Sequence, residues 1–130
     1  MTYYPYSDKY YPAAPVVEIT LGAPGTSPTL GPLEAFVDTG ADATLIPVKH
    51  LRQIGARKVD QATLRSQGGE RRPVSLYAVA MEISQHRFVA MWVVGDEVGK
   101  EIILGRNVLN RLRLLLDGPA AMTEVLNGPA

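Results

Sequence analysis

Phe36-Val37-Asp38-Thr39-Gly40-Ala41 occurs once in the 130 residues, and it ends an apolar run in a carboxylate at a turn. A carboxylate so placed can work in a pair, because two of them share one proton and hold one water between them. One copy in one chain is half of such a site, and two chains meeting at Asp38 would complete it. On its own the triplet is weak, since Asp, Thr and Gly are common turn formers that often follow a strand.

A second segment raises its weight. In Glu101-Ile102-Ile103-Leu104-Gly105-Arg106-Asn107-Val108-Leu109 an apolar strand ends at a glycine and a short helix begins. Together with Glu34-Ala35-Phe36-Val37-Asp38-Thr39-Gly40-Ala41-Asp42-Ala43-Thr44, it resembles the two signature segments of the retropepsins, the single-domain aspartic proteases of retroviruses and their cellular relatives. Weaker similarities are Glu18-Ile19-Thr20-Leu21, the glycines at 68 and 69, and Met81-Glu82-Ile83. The resemblance covers roughly residues 16–116 and points to a cellular, prokaryotic-type member.

What it implies is an all-β, closed, single-lobe acid-protease barrel with one short C-terminal helix, working as a homodimer. Asp38 from each chain would be catalytic, one carboxylate acting as general base on the water while the other protonates the peptide carbonyl. Thr39 is suited to bonding across the two-fold axis, and Gly40 lets substrate backbone come close. The resemblance further implies that Gly40 and Asp42 bond the substrate main chain and that Ala41 lines a pocket. Ala43, Leu45 and Ile103 would add apolar lining, and Gln67, Gly68 and Gly69 would form the tip of a flap closing over the substrate. Arg106 would tie the small helix to Asp42 as a buried bidentate pair that is costly to break. No metal and no cofactor is called for.

The intervening sequence reads as β. Val16–Leu21 is a strand, and Gly22–Pro28 the loop after it. Leu33–Val37 leads into the Asp38 turn, and Thr44–Pro47 leaves it. A short helix is predicted near Lys49–Ile54, with Gly55 placed to stop it. Ala62–Arg65 and Val74–Ile83 predict a long hairpin, Phe88–Val94 another strand, and His86 a place in a solvated turn. Short strands with few helices favour a closed all-β domain. Beyond the helix, Leu112–Leu126 predicts an extra hairpin. Retroviral enzymes end sooner, so this chain resembles the cellular members there, and the usual terminal dimer sheet is open to change. A charged flap, with Arg65, Glu70, Arg71 and Arg72, and a polar loop over Asp96–Glu101 also depart from the viral pattern.

Composition narrows the function classes. Thirteen basic residues offset thirteen acidic ones, so no overall field favours nucleic acid or an anionic membrane. The absence of cysteine excludes disulfides, catalytic thiols and cysteine-based zinc sites, and His50 and His86 lack metal-ligand spacing. Apolar runs are strand-sized, and the first fifteen residues do not read as a signal peptide, which makes the cytoplasm the default compartment. Those residues hold five of the six tyrosines and several prolines. They read as a flexible tail over 1–15, ahead of a domain at 16–127. A removable leader, a partner-binding arm and a dimer edge strand are the other options.

Two function classes follow. The first is an aspartic endopeptidase acting on peptide or protein substrates, with its own tail as one candidate. The second is a catalytically silent retropepsin-fold module for dimerisation or peptide binding. The intact Asp-Thr-Gly-Ala disfavours the second, since a scaffold has no use for a like-charge pair at its interface.

Overall fold

In the computed structural model, which describes residues 2–66 and 68–127, alternation of apolar and polar residues sets the barrel. Strand β2 (Val16–Gly22) turns Val17, Ile19 and Leu21 fully inward, while Glu18 faces out. It pairs antiparallel with β3 (Leu30–Val37), whose Ala35 and Val37 reach the same core. The ring continues from β3 to β8 (Ile102–Leu104), then to β4 (Leu45–Pro47), β7 (His86–Asp96) and β6 (Arg71–Ile83). The β6 strand returns to β2 through Thr20–Glu82, Leu21–Met81 and Gly22–Ala80, which closes a six-stranded barrel. Closure removes the free edges that an open sheet would present. Strand β5 (Lys58–Arg65) lies outside the ring and, among the described residues, bonds only to β6, as the first arm of the long hairpin.

Helix α1 (Val48–Gln53) forms where predicted. It ends because Gly55 takes φ +66°, so that the Gly55 N–H reaches Arg52 O (3.1 Å) and the Ala56 N–H reaches Leu51 O (2.9 Å). This is a Schellman closure, and it leaves Leu51 buried against the barrel. Helix α2 (Arg106–Leu109) buries Val108 and Leu109.

A second sheet stands apart from the ring. The predicted C-terminal hairpin is β9 (Leu114–Asp117) with β10 (Met122–Val125), and β10 also pairs with β1 (Thr2–Pro5). Thus the Tyr/Pro-rich segment, expected to be a flexible tail over 1–15, is bonded in place from Thr2 on. After β1, the Tyr6 N–H donates to Ala121 O, and Ser7 and Ala14 exchange backbone bonds. Tyr10 packs edge-on against Phe36 with ring centroids 5.3 Å apart, its hydroxyl donates to the Glu101 carboxylate, and Lys9 meets Glu34 at 3.6 Å. The physical reason is that tyrosine carries a large apolar body, which docks as well as it solvates. A pairing between the two ends of a chain leaves no local pattern to read. His86 also differs from expectation: the turn is Ser84-Gln85, and His86 begins β7 half-buried, with Nε2 3.4 Å from Leu126 O.

Candidate active site

Asp38 sits where β3 leaves the barrel beside the end of β8, and its N–H donates to Leu104 O at 3.1 Å. Its carboxylate is turned back on the loop, with Oδ1 accepting the Gly40 N–H at 2.9 Å. The Ala41 N–H donates to Asp38 O (3.2 Å), and the Arg106 N–H to Ala41 O (2.8 Å). The half-buried Asp38 therefore has its backbone fixed on both sides.

The Gly105 contact explains why a glycine precedes the helix. A Cβ there would stand 2.3 Å from Ala43 O and 2.5 Å from Ala43 C, both backbone atoms that cannot swing away. Across this contact runs a polar chain. The Gly105 N–H donates to Thr44 Oγ1 (3.0 Å), whose hydroxyl donates to Asn107 Oδ1 (2.7 Å), and Asn107 Nδ2 donates to Trp92 O (3.0 Å). Thr44 is fully buried, so these bonds satisfy groups that water cannot reach. Strands β3, β4, β7 and β8 and helix α2 are thereby fastened around the Asp38 turn.

Arg106 does meet Asp42, as expected, and it also donates through Nη1 to Thr39 O at 2.8 Å. The expected burial and two-pronged carboxylate grip do not occur in the single chain. The Arg106 and Asp42 side chains are 43% and 84% exposed, and the guanidinium divides its donors between a carboxylate and a carbonyl. An exposed pair of this sort contributes about 0.2–1 kcal/mol.

Above the turn lies a cleft of about 470 Å³ that Asp38 lines together with Gly40, Ala41, Asp42, Ala43, Leu45 and Ile103. Register explains its floor. Leu76 pairs with Val94, Val94 with Leu45, and Leu45 with Ile103, so one row of apolar side chains crosses β6, β7, β4 and β8. The hairpin supplies the opposite wall through Ala62, Thr63, Leu64 and Arg65 of β5 and Val74 of β6. Gly68 and Gly69 stand at the hairpin tip, where Gly69 has φ +85° and its N–H donates to Ser66 O (2.9 Å), but neither glycine lines the cleft. Gln67 lies outside the described residues. Trp92, Leu76 and Val94 were not read from the sequence as site residues. Period-2 alternation along β7 and β6 gives which residues share a face, but not which face looks onto Asp38. Among the described residues no three His, Cys, Asp or Glu side chains converge as a metal site would require, and no helix is long and apolar enough to cross a membrane.

The Tyr10 hydroxyl, on the arm packed beside β3 and β8, is pushed up to about 12 by burial, by its bond to Glu101, and by the negative charge of Glu101 and Glu34.

Residues 31–111 match the family described as "gag-polyprotein putative aspartyl protease". The fold is similar to that of the EIAV protease complexed with the inhibitor HBY-793, at TM-score 0.56 and 21% identity over 75% of this chain and 86% of that one. It is equally similar to the retroviral protease-like domain of Ddi1 from Leishmania major, at TM-score 0.57 and 16% identity, covering 88% of this chain and 89% of that one. The foamy viral protease-reverse transcriptase in complex with double-stranded DNA matches at TM-score 0.52 and 17% identity, over 74% of this chain and only 15% of that longer one. No curated protein matches the sequence.

Proposed function

From the chain's membership of the gag-polyprotein aspartyl protease family, and from its retropepsin-like single-lobe barrel, we propose that it is an aspartic endopeptidase active as a homodimer. The observation that carries this reading is the Asp38 carboxylate, held by the Gly40 N–H at the floor of a cleft with an apolar row beneath and a hairpin above. One Asp38 supplies half of an acid–base pair, and a second copy of the chain supplies the other half. In the paired site one carboxylate takes a proton from the bound water while the other gives a proton to the scissile carbonyl. The roles then reverse to release the amine.

The other residues serve this step. Gly40 and Asp42 bond the substrate main chain, Ala41, Ala43, Leu45 and Ile103 receive side chains, and Thr39, exposed at the turn, bonds across the two-fold axis. Arg106 holds Asp42 and the Thr39 carbonyl, which keeps the turn in register with α2. Gly68 and Gly69 form the tip of a hairpin that closes over bound peptide. The enzyme works in the cytoplasm on peptide or protein substrates, without nucleic acid or membrane partners.

The test is cleavage of a proteome-derived peptide library from about pH 4 to 7 by the parent and its Asp38→Asn variant, read by mass spectrometry. Cleavage by the parent alone is expected. No cleavage by the parent, at concentrations where dimers form, would reject the reading in favour of a non-catalytic module.

A further inference from the structure

Trp92 is the single tryptophan of the chain, and it is 44% exposed although it belongs to a strand of the closed barrel. It lines the candidate active-site cleft together with Asp38. Trp92 lies two residues from Val94 on β7, so it extends the apolar row Leu76–Val94–Leu45–Ile103 on the same face. Its direct partner across the strand pair is Ala78, and the cleft's other small residues include Ala41 and Ala43 at the turn and Ala62 on the hairpin wall. A large flat side chain bordered by small ones leaves a slot whose one broad wall is an aromatic face.

The wall is fixed to the turn that carries Asp38. Asn107 Nδ2 donates to the Trp92 carbonyl at 3.0 Å, while Asn107 Oδ1 receives the buried Thr44 hydroxyl, which in turn receives the Gly105 N–H. The indole is thus carried on a strand whose backbone the site's own polar chain ties to α2 and to the Asp38 turn. Pockets with rigid aromatic walls discriminate by shape and stacking, because an aromatic ring gains from face or edge contact beyond the area it buries.

We infer that Trp92 determines specificity, and that the cleft selects peptides carrying an aromatic side chain at the position that lands against it. This rests on the peptide-binding reading of the cleft, and it adds a substrate class that neither the fold nor the family match assigns. The expected preference for Phe or Tyr over Ala at that position is roughly tenfold, as one added aromatic contact supplies.

Trp92 reports on its own occupancy. The Asp38→Asn protein is titrated with peptide sets that carry Phe, Leu or Ala at each position in turn, with binding followed by calorimetry and by indole fluorescence. The parent, Trp92→Ala and Trp92→Leu are compared on the same peptides by kcat/KM. The expected result is a fluorescence change that accompanies binding, with one position preferring Phe, and loss of that preference in both Trp92 variants while cleavage of Leu-bearing peptides persists. Trp92→Leu keeps an apolar residue on the barrel wall and guards against a folding failure of Trp92→Ala. Cleavage with the aromatic preference unchanged in Trp92→Leu would overturn the inference and leave the protease reading standing. Aromatic-selective binding with the fluorescence change, but no cleavage by the parent, would do the reverse. Binding with no change in fluorescence also overturns the inference, as does failure of every peptide to bind or be cleaved.

Discussion

The Asp38 turn and the β5–β6 hairpin face each other across one cleft, yet they are built by opposite rules. At the turn, Gly105 has no room for a single added carbon, and the buried Thr44 and Gly105 form a polar chain with half-buried Asn107. At the tip, a Cβ added at Gly69 would meet nothing within 4 Å, and β5 is exposed along almost its whole length with β6, among the described residues, as its one bonded partner. Chemistry that needs fixed distances belongs on the first kind of structure, and access for a substrate belongs on the second. The contrast predicts a graded set of responses.

The largest is at Gly105. Gly105→Ala is expected to cost about 3 kcal/mol, because backbone must move to admit the methyl group. Urea unfolding should show it as a drop in midpoint with little change in slope. Next is Thr44→Val, which keeps the shape but strands the buried Gly105 N–H and takes the donor from half-buried Asn107 Oδ1, for a loss of about 2 kcal/mol. Gly69→Ala adds a methyl group in open space and is strained only by its positive φ, so about 1 kcal/mol is expected by the same measurement. If Gly69→Ala were as damaging as Gly105→Ala, the division into a rigid floor and a loosely held hairpin would fail.

The smallest effect belongs to the arm. The Tyr10 pKa is raised from 10.0 to about 12, so the native state favours the protonated hydroxyl. That contribution is fully present below pH 10, and it is lost as pH rises through about 12. The alkaline decline in stability is therefore expected to be shallower in Tyr10→Phe than in the parent when urea midpoints are compared across that range. Parallel curves would mean that Tyr10 is not docked against Glu101 in solution.

How much of this was legible in the sequence varies by region. Local signals served well: Gly55 stopped α1, the run after α2 formed the β9–β10 hairpin, and Ala62–Arg65 with Val74–Ile83 formed the long hairpin, extended at both strands' near ends. Asp38, Gly40, Ala41, Asp42, Ala43 and Leu45, with Ile103, line one cleft, while Thr39 does not. What escaped was long-range. Closure of the barrel was expected from the resemblance, but its β2–β6 register, the pairing of β1 with β10, and the place of Trp92 in the Asp38 cleft depend on contacts between distant segments, which period-2 patterning does not encode. The burial of the Arg106–Asp42 pair was overestimated for a similar reason, since a pairing of residue types says nothing of the solvent around it.

The central claim is that one working site needs an Asp38 from each of two chains. Its most direct test is to mix parent with Asp38→Asn chains at fixed total concentration, allow subunits to exchange, and measure peptide cleavage against the parent fraction. Activity should follow the square of that fraction, falling to about one quarter in an equal mixture, because mixed dimers carry one carboxylate only. A linear fall, to about one half in the equal mixture, would show that each chain acts with its own Asp38 alone and would contradict the account.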